Sequence, residues 1–348
     1  GSSHGGACWQ QWEEPLRRRE ADAVKAARKR YAKEIAFWQA VQYLFFRQWQ
    51  ALKDYAKTKN IQIIGDLPIY IALDSVDVWS DPHQFQLDEH LNPTEVAGCP
   101  PDGFSATGQL WGNPLYDWDA MAKDGFAWWV RRIKHMCSIY DVVRIDHFRG
   151  FAGYYAIPYG SETAACGRWR TGPGYALFAA IKKKLGAPRI IAEDLGFLTE
   201  DVNALLRKCG YPGMKVLEFG FDSRDGGEYR PHSYPVNSIA YVGTHDNEPV
   251  NGWVETAAPE DIARAVQYLN LTKQEGYHWG MMRGIWASAS ELAIVQAQDI
   301  LGLGHEARMN TPSTVGSNWC WRAKRGVFND RLAARLYQAA ELYDRLPR

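Results

Sequence analysis

Three short segments each place a carboxylate where an apolar run stops: Val143-Arg144-Ile145-Asp146-His147-Phe148-Arg149-Gly150, then Ile191-Ala192-Glu193-Asp194-Leu195-Gly196, then Gly243-Thr244-His245-Asp246-Asn247. One such acid is ordinary, because Asp at a strand end commonly caps a helix or closes a turn. Three in succession, two of them beside His, call for a reaction that uses carboxyl groups in different protonation states. Cleavage of a glycosidic bond is such a reaction. One carboxylate stays ionised and attacks the anomeric carbon. A second holds a proton for the departing oxygen and later accepts one from the incoming hydroxyl, and a third balances charge on the oxocarbenium-like transition state.

The neighbours of these acids assign the states. Arg144 lies two residues before Asp146, so on a strand both side chains leave the same face, and a guanidinium there would lower and orient the carboxylate. Glu193 follows Ile190-Ile191-Ala192 with no adjacent basic residue, so desolvation is expected to raise its pKa as a general acid requires. Asp194 competes for that role but falls on the opposite face, where capping or support suits it better. A retaining mechanism would set Asp146 and Glu193 about 5–5.5 Å apart.

Apolar, β-branched runs at residues 61–64, 142–145, 190–192, 216–219, 239–242 and 292–295 predict the strands that must carry these groups. Helical patterns at 120–139, 174–185, 200–208 and 333–346 alternate with them, after a helical opening over 15–59. In that opening Phe37, Val41, Leu44, Phe45 and Leu52 share one side. Strand then helix, repeated, predicts an α/β chain with parallel strands, and acids at several strand ends favour a (β/α)8 barrel. An open doubly wound sheet is the rival, but no G-x-G-x-x-G opens a helix. The count is six strands, and a closed barrel of this kind has eight. The expected organisation is a helical segment over 1–60 and a partial catalytic barrel over 61–348. Residues 72–119, rich in Pro, Gly, Asp and Trp, form a loop-rich insertion after the first strand, and 157–173 a smaller one.

Composition narrows the partners. Lys plus Arg and Asp plus Glu stand at 40 each in 348 residues, so electrostatics gives no reason to expect nucleic acid or an acidic membrane. No apolar run approaches the length of a membrane helix, and no export signal is visible. Cys8, Cys99, Cys137, Cys166, Cys209 and Cys320 form no C-x-x-C pair, which predicts buried thiols in a reducing, cytoplasmic setting. No metal or organic cofactor is implied, since anomeric displacement needs acids and bases, and no H-E-x-x-H, EF-hand or P-loop is present. The 15 Trp, 18 Tyr and 13 Phe could supply flat apolar floors for sugar rings as well as core.

R-I-D-H-F-R-G, A-E-D-L-G and T-H-D-N resemble the catalytic strands of the 4-alpha-glucanotransferases of the wider alpha-amylase clan. The stretch I-G-D-L-P-I-Y-I, D-S-V-D-V-W and P-P-D-G-F-S-A-T-G-Q-L-W-G-N-P-L-Y-D-W-D over 64–119 resembles that family's characteristic loop. A-R-M-N-T-P-S-T-V-G-S-N-W-C-W-R over 307–322 resembles its last active-site segment, with Ser313 where Gly is expected. The resemblance implies Asp146 as nucleophile, Glu193 as acid/base and Asp246 as transition-state stabiliser. It implies Arg144, His147 and His245 as contacts at the cleavage point, Asp66 as a donor-side contact, Phe104, Gln109 and Trp111 as a covering loop, and Asn310 as a polar contact. Maltooligosaccharides and starch- or glycogen-derived alpha-1,4-glucans would be the substrates. A hydrolase with the same carboxylates, or an inactive glucan-binding fragment, are the alternatives. Gly1–Gly6 has no initiating Met and reads as an appended leader or a cut through a longer protein. The resemblance implies two further strands ahead of the helical opening, so six strands made alone are expected to be poorly soluble and negligibly active.

Overall fold

The charged, alanine-rich opening folds as helix: α1 (Glu14–Arg17), α2 (Ala21–Arg30) and the long α3 (Ala32–Thr58). Pro15 sits in the first turn of α1, where its missing N–H has no helical partner to lose. The computed structural model describes residues 4–101, 105–196, 198–223, 229–312 and 314–347. The apolar side of α3 is turned outward: Phe37, Leu44, Phe45 and Leu52 are exposed. The helix is held by Trp49 instead, whose indole N–H donates to the Ile139 carbonyl at 3.0 Å and whose ring meets Tyr140 edge-on at 5.9 Å.

The chain divides into two units, Gly1–Tyr211 and Pro212–Arg348. In the first, α3 is followed by β1 (Ile64–Pro68), α4 (Val76–Ser80), β2 (Glu95–Cys99), β3 (Gln109–Pro114), α5 (Trp118–Lys123) and α6 (Ala127–Ile139). Next come β4 (Val142–Asp146), β5 (Gly153–Pro158), β6 (Arg168–Thr171), α7 (Tyr175–Leu185), β7 (Ile190–Ala192) and α8 (Glu200–Cys209). Strands β1, β4 and β7 form a parallel sheet with β4 central, and its register sets Asp66 beside Arg144 and Pro68 beside Asp146. The second unit contains β8 (Gly213–Val216), β9 (Ser238–Tyr241), α9 (Val250–Thr256), α10 (Pro259–Leu269), α11 (Tyr277–Trp286), β10 (Leu292–Ile294), α12 (Ala297–Ile300) and α13 (Asp330–Leu342). Its parallel sheet runs β10-β9-β8.

Among the described residues six parallel strands are therefore present, three in each unit, with two corrections of position. The first strand is Ile64–Pro68, not 61–64, because Ile61 closes back on α3 by donating to the Ala56 carbonyl and Ile63 is held by Asp141, its N–H donating to the Asp141 carboxylate at 2.8 Å. The fourth is Gly213–Val216, and the apolar run after it coils into a 3-10 turn at Leu217–Phe221. The larger correction concerns the two insertions. Stretches within them pair with β5, most of which precedes the second insertion, as an antiparallel sheet ordered β3-β2-β5-β6, in which Glu95 faces Pro158 and Gly153 faces Thr171. Buried Glu95 locks that sheet by accepting from Arg168 at 3.0 Å and Arg170 at 2.6 Å.

Each unit has its own core. Trp129, Ile133, Ile145, Phe148, Phe151 and Leu177 are fully buried in the first, at about 1.5–3 kcal/mol each for burial. Leu217, Phe221, Val242, Met281, Met282 and Ile285 are fully buried in the second. The six cysteines are half-buried (Cys8, Cys99, Cys137, Cys209) or exposed (Cys166, Cys320) rather than buried. Among the described residues no helix is long and apolar enough to cross a membrane, and no group of three His, Cys, Asp or Glu could hold a metal.

Candidate active site

Asp146 is the last residue of β4, and Glu193 follows β7, the neighbouring strand. Arg144 lies buried between acids: its Nη1 is 2.6 Å from Asp66 Oδ1 and 3.2 Å from Asp146 Oδ1. The i, i+2 alternation of β4 puts Arg144 and Asp146 on one face, and the parallel register brings Asp66 across from β1. Burial works against the Arg144 charge, yet Asp66, then Asp146, then Glu193 more than offset it and hold its pKa above the ordinary value.

Glu193 has the opposite setting. Burial first, and then the Asp146 charge, push its carboxyl up to about 7. Arg144 and two backbone N–H groups pull the other way: His147 donates to Oε2 and Leu195 to Oε1, each at 2.7 Å. These donors leave lone pairs on both oxygens, so they fix the carboxyl without preventing a proton from sitting on it. His147 adopts a left-handed conformation with φ 52°, uncommon for a residue with a side chain and strained by roughly 1–2 kcal/mol. In that conformation its N–H reaches Glu193, and the chain turns into the 3-10 segment Phe148–Phe151. Asp194, the rival acid, is buried beside it.

An aromatic wall adjoins this pair. The Trp111 ring stands edge-on to the His147 imidazole at 4.9 Å, and Tyr70 lies 6.2 Å from Trp111 and 6.4 Å from His147. The Trp111 indole N–H donates to Gln109 Oε1 at 3.0 Å, two residues back along β3. Burial depresses the His147 pKa to about 3, so the ring is neutral at ordinary pH. Gly150 makes this packing possible: a Cβ there would meet Ile69 at 2.7 Å and the His147 ring at 3.2 Å.

In the second unit Asp246 lies in the turn after β9. Asn310 Nδ2 donates to Asp246 Oδ1 at 2.6 Å, and His245 Nε2 is 3.4 Å from Oδ2. The His245 ring packs on Trp319 with 5.0 Å between centroids. Two buried acids support this turn. Glu218 approaches Gly243, where a Cβ would lie 3.0 Å from its Oε1, and Asp299 accepts from the Val250 N–H at 2.7 Å.

Burial first, then Asp299 and Glu248, holds Glu218 well above the usual carboxylate range, and burial lifts Asp299 to about 7. Both are protonated in the folded protein at mildly acidic pH but ionise in the unfolded chain. Stability should therefore fall as pH rises from the ordinary carboxylate range through the folded values, by up to about 1.4 kcal/mol per pH unit per group. Glu218→Gln is expected to flatten that slope. Denaturant melts at pH 5 and pH 8 check it, and a variant equally destabilised at both would refute the assignment.

Residues 2–328 match the glycoside hydrolase family 77 pattern, 4-alpha-glucanotransferase. A 4-alpha-glucanotransferase of Clostridium butyricum is 49% identical over 339 residues, covering 97% of this chain and 70% of that protein. One from Thermus thermophilus is 45% identical over 351 residues, covering 99% of this chain and 70% of its own length. The chain belongs to the 4-alpha-glucanotransferase family. The structure of the amylomaltase from Streptococcus agalactiae in complex with acarbose, 42% identical, superposes with a TM-score of 0.96, covering 99% of this chain and 70% of that one. The mixed α/β fold is thus the one seen in that glucanotransferase-family structure.

Within this family chain, the first unit brings together Asp66, Arg144, Asp146, His147, Glu193, Gln109 and Trp111, and the second brings together His245, Asp246 and Asn310. Phe104 and Ser313 lie outside the described residues. Sequence reasoning missed Tyr70, Trp319 and Arg308. Tyr70 carried a usable signal, since it comes two residues after Pro68 at the end of β1, beside the other strand-end groups.

Proposed function

We propose that the protein moves glucosyl or maltooligosaccharide units between alpha-1,4-glucans by a retaining route. Asp146 attacks the anomeric carbon while Glu193 protonates the departing 4-oxygen, leaving the sugar esterified to Asp146. The 4-hydroxyl of an acceptor then gives its proton to Glu193 and displaces Asp146, so the carboxyl and carboxylate states are both regenerated. Asp246 stabilises the oxocarbenium-like charge, Arg144, His147 and His245 hold the sugar, Asp66 serves the donor side, and Asn310 adds a polar contact. The observation that carries this reading is the contrast between two carboxyls on adjacent strands. Asp146 sits on a buried guanidinium, and Glu193 is desolvated and poised near neutrality.

The two parallel sheets with their intervening helices support reading the chain as part of a (β/α)8 barrel, six of whose strands lie among the described residues, with 1–60 a helical segment and 61–348 catalytic. Residues 72–119 are then the substrate-covering region, with Phe104, Gln109 and Trp111 in it. Six cysteines scattered along the chain without a C-x-x-C spacing support a cytoplasmic location.

Maltotriose tests the reading: a transferase releases glucose together with chains longer than the substrate, whereas a hydrolase yields only glucose and maltose. Trp111 decides how well water is excluded, because its ring lies against His147 beside Glu193. Trp111→Ala is expected to raise free glucose relative to longer chains several-fold. An unchanged ratio would remove Trp111 from water exclusion, and absence of longer products from the parent enzyme would replace transfer by hydrolysis.

A further inference from the structure

Arg308 follows the 3-10 turn His305–Ala307 and spends its guanidinium on three separate acceptors in the second unit. Its Nη2 donates to the backbone carbonyl of Asp246 at 2.7 Å, and its Nε to the carbonyl of Asn310 at 2.9 Å. Its Nη1 pairs with Glu248, two residues beyond Asp246. Glu248 is itself mostly buried, with 13% side-chain exposure, and also meets His305 Nδ1 at 2.9 Å. The Asp246 residue is thereby gripped at both ends by one segment: Arg308 takes its carbonyl and Asn310 takes its carboxylate. The Arg308–Asn310 contact makes the two grips a single object.

We propose that Arg308, held in place by Glu248, is a positioning residue that sets the orientation of the Asp246 carboxylate. The inference rests on Asp246 as the transition-state stabiliser. A planar guanidinium with five donors can serve three acceptors in fixed directions, and an ammonium on a flexible stem cannot. A carboxylate that answers charge developing on the sugar acts mainly in the transition state. Its misorientation therefore lowers kcat far more than it raises KM.

The test compares Arg308→Ala, Arg308→Lys, Glu248→Gln and Asp246→Asn in maltotriose disproportionation, with melting temperatures measured in parallel. Arg308→Ala is expected to lose about 100-fold in kcat, the scale of an ångström-sized misplacement, with KM within about threefold of the parent. Added guanidinium ion should restore part of that loss in Arg308→Ala and none in Asp246→Asn. Arg308→Lys should recover little. Should Arg308→Ala fail to fold, Glu248→Gln, which keeps Arg308 and removes its ionic partner, is expected to lower kcat without a matching rise in KM. Parental kcat in Arg308→Ala or, where that variant does not fold, in Glu248→Gln overturns the proposal. So does a loss that follows melting temperature and ignores guanidinium. If Asp246→Asn is inactive while the Arg308 variants are not, only the positioning role fails. If Asp246→Asn stays active, the stabiliser reading fails and takes the proposal with it.

Discussion

Asp146→Asn should leave the protein folded and reduce transfer by about 10^4-fold or more, the scale seen when a nucleophile is removed from a covalent mechanism. The amide has the shape of the carboxylate but no charge with which to attack. Folding should survive because Arg144 keeps its 2.6 Å contact with Asp66, so the buried guanidinium is not stranded. Maltotriose turnover and a melting curve on the same preparation check both halves. A variant that keeps its melting temperature and more than a tenth of its activity would exclude Asp146 as nucleophile.

Glu193→Gln should cost roughly 10^2–10^4-fold, the usual worth of a general acid/base. It should also change the shape of the pH profile. The acid must carry its proton to release the leaving group, and its carboxyl is pushed up to about 7. In the parent, kcat should therefore decline about tenfold per unit as pH rises above that value, and the variant should lack this limb. Asp146 contributes to the elevation through its charge, so Asp146→Asn should move the Glu193 titration downward, a shift that carboxyl-labelled NMR can follow. An alkaline limb that persists unchanged in Glu193→Gln would assign the proton to another group.

Several parts of this arrangement were legible because they are local. Asp146 and His147 could be placed at the end of a strand since Val142-Val143-Arg144-Ile145 reads as one without outside help. The same holds for Glu193 after Ile190-Ile191-Ala192. The β3-β2-β5-β6 sheet was not legible. Its members are short and carry Gly, Pro and Arg at strand positions, and β2 finds its partner β5 only after more than fifty residues of intervening chain. The outward face of α3 escaped for a related reason: a periodic apolar stripe tells which residues share a side but not what lies opposite. Arg308 and Glu248 stand sixty positions apart, and only the fold brings them together.

What the sequence determined alone is the order of parallel strands and helices and the position of each acid along its own strand, because backbone alternation and local propensity act over a few residues. Only the tertiary structure supplied the surroundings that act on Asp146 and Glu193. Arg144 stabilises Asp146 while shared with Asp66, and Glu193 is lifted by burial against a neighbouring strand. Those energies depend on which charges and how much water lie within a few ångströms, and here the partners came from other strands and turns.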